Sequence, residues 1–170
     1  EHYLVSSGNA EIFAGTSIAS KFKQVFASKF MFNQNGVADW PALAVNYTTK
    51  TQYLFRINKG AFDLSDKSKV NQFVEKQNRP VPFENMVFIG DGSTDIPCFR
   101  LVKEQGGLSI AVFKAHSKGA RENAQRYVRD GRVQCIAPAI YTEGGELDRI
   151  IKANIAAVSA RSALTNLFSE

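Results

Sequence analysis

The sequence predicts an α/β fold, a doubly wound, mainly parallel sheet with helices on both faces, arranged as a single domain over residues 1–170. Three observations carry this. Short apolar runs of strand length alternate along the chain with segments of helical periodicity, the order that builds parallel sheets. One of those runs, Met86–Ile89, has no polar alternation, as expected of a strand covered on both faces. Hydroxyl- or glycine-rich turns follow the apolar runs directly, as in Val5-Ser6-Ser7-Gly8 and Ile89-Gly90-Asp91-Gly92. At 170 residues and 44% hydrophobic content, the chain can bury one proper core, and two would be cramped.

In chain order, Tyr3–Val5 reads as a strand ending at Ser6-Ser7-Gly8-Asn9. Ala10–Phe22 then repeats apolar residues at helical spacing, with Gly15 and Thr16 as an interruption. Gln24–Phe32 and Val37–Val45, separated by Asn33-Gln34-Asn35-Gly36, predict a β-hairpin over about 24–46. A helix from Thr48-Thr49-Lys50 to Lys59-Gly60 follows, with a threonine as its N-cap. A short helix through Val70, Phe73 and Val74 ends at Arg79-Pro80-Val81-Pro82, ahead of the central strand Met86–Ile89. Pro97 suits the first turn of a helix running to Gly106-Gly107. Leu108–Phe113 is the next strand, Ser117–Arg129 a basic helix, Val133–Ala137 a last strand, and a helix from about Glu146 finishes the chain.

The net charge of +5 and pI near 9.3 do not gather into a basic run, so nucleic acid is not indicated, and the 13 Phe read as core. Cys98 and Cys135 have neither zinc-ligand nor disulfide-framework spacing and read as cytosolic thiols. No apolar run approaches the roughly 20 residues of a membrane span. A cytoplasmic protein without membrane partners is the expectation. Because Glu1-His2-Tyr3-Leu4-Val5 enters a strand with no initiating Met or polar lead-in, the sequence reads as part of a longer protein.

The chemistry centres on Gly90-Asp91-Gly92-Ser93-Thr94-Asp95. Asp91 at a strand tip and Asp95 near a helix start would bring two hard oxygen ligands to the mouth of a sheet, which suits Mg²⁺ completed by waters and phosphate oxygens. The alternative is structural, with Asp91 closing a turn and Asp95 capping the helix from Ile96. Ser6, Ser7 and Gly8 could cradle an anion before a helix, or form a plain turn. Lys50 in a first helical turn opposes the macrodipole unless an anion is near, though an exposed lysine is also common.

Taken together, LVSSGN, the hairpin leading to Thr49-Lys50, and GDGSTD after an apolar strand resemble the haloacid dehalogenase-like superfamily, in the branch of phosphoserine phosphatase. The likeness covers roughly Tyr3–Pro138, and GDGSTD is its most specific part. It implies a Rossmann-like core and a Mg²⁺-dependent phosphomonoester hydrolase acting through an aspartyl-phosphate. Asp91 and Asp95 would hold the metal, Gly92 and Ser93 line its loop, and Ser6 bind a phosphoryl oxygen, with Ser7 second choice. Lys50 would neutralise charge, with Lys59 the fallback. The family's first motif, DxDx[TV], is absent: no Asp-x-Asp occurs in the chain. The resemblance therefore implies a core incomplete at its N-terminal strand, without nucleophile or helical cap, and inactive by itself. Its partners would be a small phosphorylated substrate and the missing N-terminal segment, or a strand-exchanged second copy. A non-catalytic phosphate- or protein-binding module is the alternative.

Overall fold

The computed structural model describes residues 1–168 and shows a mixed α/β chain. It divides into two compact units, Glu1–Val81 and Pro82–Glu170, each carrying one small three-stranded sheet, the first mixed and the second parallel.

In the first unit, β1 (Tyr3–Asn9) runs parallel to β2 (Gln24–Phe32), and β3 (Ala38–Leu43) returns antiparallel to β2, giving the expected hairpin. The Asn33 carboxamide closes its turn by accepting the N–H groups of Asn35 and Val37. The helix expected through Phe22 stops early. Only α1 (Ala10–Ala14) and a 3₁₀ turn at Ala19–Lys21 form. At the break, the Thr16 backbone N–H and hydroxyl both bond to the Phe13 carbonyl, an acceptor that a continuing helix would need.

Helix α2 (Lys50–Lys59) buries Tyr53, Leu54 and Ile57, and Phe26 of β2 stacks on Tyr53 with ring centroids 4.8 Å apart. Each such side chain adds about 1.5–3 kcal/mol of transfer free energy. The N-cap residue is a threonine, Thr49, as expected, although its side chain makes no cap bond to the helix. The turn ahead of it is closed by Asn46, whose Oδ1 accepts the Thr48 and Thr49 N–H groups at 3.0 and 3.1 Å, while Thr49 Oγ1 accepts the Asn46 N–H at 2.9 Å. The reciprocal bonding is that of a capping box placed just before the helix. Gly60 ends the helix in the left-handed region at φ 63°, and the buried Arg56 guanidinium holds the exit by donating to the Ala61 and Asp63 carbonyls.

Helix α3 (Lys67–Asn71), capped by Asp66, ends before Phe73, which is 81% exposed. Lys59 explains the stop: its ammonium donates to the Val70 and Gln72 carbonyls at 2.8 Å each, again removing acceptors from a longer helix.

In the second unit, β4 (Val87–Gly90), β5 (Leu108–Phe113) and β6 (Cys135–Pro138) are all parallel. β5 holds the centre of this sheet. β4, expected at the centre, is at an edge and half-buried. Both faces are covered, as the unbroken apolar run implied. Val87, Ile89, Ile110 and Val112 pack with Leu147, Ile150 and Ile151 of α6 (Glu146–Leu167). Phe88 and Ala111 pack on the other side with Phe99 of α4 (Ile96–Glu104) and Tyr127 of α5 (Ala120–Arg129).

Strand β6 starts two residues later than expected because the Gln134 side chain stands in for a strand neighbour. Its Oε1 accepts the Ser109 N–H and its Nε2 donates to the Gly107 carbonyl. α5 begins at Ala120 instead of Ser117, after Gly119 in the left-handed region at φ 75°. No helix among the described residues is long and apolar enough to cross a membrane.

Candidate functional site

The turn after β4 is built around a buried carboxylate. Asp95 is 5% exposed, and its Oδ2 accepts the backbone N–H groups of Asp91 and Gly92 at 3.2 and 3.3 Å. These bonds offset the desolvation of the carboxylate and draw the turn tight. Gly90 makes this possible, since a Cβ there would lie 2.6 Å from Asp95 Oδ2 and 2.7 Å from its Cγ. The glycine that sequence reasoning credited with admitting a ligand admits Asp95 instead. A Cβ at Gly92 would meet only ordinary contacts, with Thr94 Oγ1 at 3.8 Å and Thr94 N at 4.0 Å. The Gly92 backbone is extended, at φ −134°.

Asp91 and Asp95 thus share one turn in different ways. Asp91 stands exposed at the strand tip, and among the described residues its carboxylate has no hydrogen-bond or ion-pair partner. Ser93 is exposed on the same turn, opening the single 3₁₀ turn Ser93–Asp95 that feeds α4. Asp95 holds the backbone that presents Asp91.

A cleft of about 450 Å³ opens at the carboxyl ends of β4, β5 and β6, lined by Gly90, Asp91, Phe113, Lys114, Ala139 and Tyr141. Loss of hydration, and after it the negative charge of Asp91, push the Tyr141 phenol above its ordinary value. Tyr141 is 70% exposed at the rim of the cleft. Sequence reasoning missed Lys114 and Tyr141. The rule that selected Asp91, a polar residue just past an apolar strand, also selects Lys114 after Leu108–Phe113.

Ser6, Ser7, Gly8 and Lys50 belong to the first unit. β1 does not end at Ser6. It runs on to Asn9 through an irregularity in its pairing with β2, and the five-residue α1 follows. Ser6 Oγ accepts the Gly8 N–H at 3.0 Å, which leaves its own hydrogen without an acceptor among the described residues. Ser7 is exposed, and its carbonyl takes the Ser28 hydroxyl. Lys50 is 5% exposed, so the common reading of an exposed lysine does not apply. Lys59 is committed to two carbonyls.

Among the described residues, no group of three or more His, Cys, Asp or Glu side chains could hold a metal ion. Mg²⁺ typically asks for less from a protein, one or two carboxylates with waters and phosphate oxygens. The exposed, unpartnered Asp91 on a rigid turn fits that demand. Asp95 Oδ2, already bonded to two N–H groups, fits better as the group that positions Asp91.

The comparisons with known proteins fix neither family nor fold relatives. An uncharacterized protein of Borreliella burgdorferi is 30% identical over 162 residues, covering 85% of this chain and 54% of its own length. The chain thus spans about half the length of that curated relative. No family model matches the sequence. No solved structure matches it either.

Proposed function

We propose that this chain carries the metal-binding part of a Mg²⁺-dependent phosphomonoester hydrolase of the haloacid dehalogenase-like type, with the metal loop in the second unit. The observation that carries this reading is the tip of β4, where an exposed carboxylate sits on a turn locked from beneath by a buried one. A turn needing only closure would not require both. Asp91 holds Mg²⁺, and Asp95 with Gly90 fixes the loop that Gly92 and Ser93 line. Mg²⁺, when bound, supplies positive charge that offsets the repulsion between an anionic nucleophile and a phosphoryl group.

Within the first unit, Ser6 has a hydroxyl hydrogen that would suit a phosphoryl oxygen, and Lys50 is a cation held at low exposure. The nucleophilic aspartate lies on a further segment of the protein, which fits a relative whose match to this chain covers 54% of its own length. The substrate is a small phosphorylated molecule.

Calorimetric titration of Mg²⁺ tests the reading. Saturable binding by the 170-residue chain, abolished in Asp91→Asn, is expected, and no binding by the unaltered chain overturns it. In a phosphatase assay the chain alone is expected to be silent. Mg²⁺-dependent turnover that Asp91→Ala abolishes would place the nucleophile within these residues.

A further inference from the structure

Three neighbouring parallel strands each deliver one polar side chain to the same cleft. Asp91 follows β4, Lys114 follows β5, and Tyr141 follows β6 by three residues. A second cavity, of about 280 Å³, adjoins the first, and the two share Asp91, Val112, Phe113 and Lys114. Beyond that junction they diverge. The larger lobe runs toward Ala139 and Tyr141, the smaller toward Ala120 and Asn123 in the first turn of α5.

Asp91 and Lys114 therefore line the same two cavities with opposite charges, yet form no ion pair, and the Lys114 side chain has no polar partner among the described residues. Opposite charges that face a common space without meeting leave room for a ligand between them. The α5 N-terminus on the smaller lobe has no side-chain cap, so its N–H groups add to the same positive field.

We propose that Lys114 is a substrate-binding residue, its ammonium gripping the phosphoryl group of a small phosphomonoester at the junction of the two lobes, while the organic part lies in the larger lobe against Tyr141. This rests on the hydrolase reading for the identity of the anion. A cleft of about 450 Å³ is in the range that encloses a metabolite. A compact small-molecule monoester fits a cleft of that size.

The test is titration of inorganic phosphate, and separately of para-nitrophenyl phosphate, into the chain with Mg²⁺ present, read by calorimetry and by ³¹P line width. Lys114→Ala is expected to weaken inorganic phosphate binding about tenfold or more, and Lys114→Arg to restore it to within about threefold. Tyr141→Ala is expected to weaken the aromatic ester more than inorganic phosphate. Lys114 is exposed, so far-UV circular dichroism of its variants should match the parent chain.

Phosphate binding that is equal in Lys114→Ala and the parent, or absent from the parent, overturns the proposal. If it is equal while Asp91→Asn abolishes Mg²⁺ binding, the metal site stands and Lys114 falls. If Lys114-dependent phosphate binding persists in a chain that binds no Mg²⁺, the anion site stands and the hydrolase reading falls.

Discussion

The ends of β1 and β4 look alike in sequence, each an apolar strand followed by small polar residues and a helix, but they fold in opposite ways. At β4, the carboxylate of Asp95 tucks beneath Gly90 and pins two N–H groups, so the turn is stiff and Asp91 is aimed outward. At β1, the backbone stays extended through Ser6, Ser7 and Gly8, and only one side-chain bond, Ser6 to the Gly8 N–H, organises it. A strand end becomes a site when a buried group braces it, and glycine serves by making room for the brace.

Paired substitutions can break that contrast. The largest effect is expected from Gly90→Ala, which sets a methyl within 2.6–2.8 Å of three Asp95 side-chain atoms. Overpacking of this kind costs about 1–3 kcal/mol, and loss of the Asp95 brace adds to it. Gly8→Ala meets only Ser6 Oγ, at 3.3 Å, and should cost under about 1 kcal/mol. Equal losses in denaturant melts would erase the distinction between the two strand ends.

Next comes the division of labour within the β4 turn. Asp95→Asn should destabilise by about 1–3 kcal/mol, because a buried charged acceptor of two N–H groups is lost. Asp91→Asn should stay within about 0.5 kcal/mol of the parent while losing Mg²⁺ binding. The reverse ranking in thermal melts would make Asp91 the structural member.

A smaller effect is expected at the start of α2. Asn46→Ala should cost about 1 kcal/mol and Thr48→Ala clearly less, since Asn46 Oδ1 accepts two N–H groups of the turn that leads into the helix.

The smallest concerns pH. Hydrogen bonds from the Ser68 hydroxyl, and then from the Lys69 and Ser68 N–H groups, hold the Asp66 carboxyl below its ordinary value. Its folded value is depressed, so its cap on α3 is fully present above the ordinary carboxylate range and is lost as pH falls through the lowered value. Amide exchange at Ser68 and Lys69 should quicken over that window, and pH-independent exchange would exclude the cap.

Much of this arrangement was legible in the sequence. The six strands lie close to where apolar runs and the Asn-Gly signal put them, because those signals act within a few residues. Helix limits were less legible. Thr16 and Lys59 each end a helical pattern by taking carbonyls, and Lys59 reaches across more than ten residues to do so. The threonine N-cap was legible, but the bonds of Asn46 that close the turn before it were not, since they depend on a backbone geometry that residue type does not specify. At the site, Asp91 could be read from its motif, but the bracing role of Asp95 depends on its backbone partners, which spacing does not specify. Lys114 and Tyr141 stand beside Asp91 only because β4, β5 and β6 are neighbours, a fact of strand order that no local pattern states.

The β2–β3 hairpin carries the only tryptophan in the chain, Trp40, 67% exposed and paired with Met31. Its emission therefore reports the surroundings of one hairpin in the first unit and is blind to local melting around β4. A fluorescence unfolding curve would describe the Ser6 end of the comparison and leave the Asp91 end unread. Tyrosines 127 and 141 in the second unit, or a tryptophan introduced there, would be needed to see whether the two units melt together.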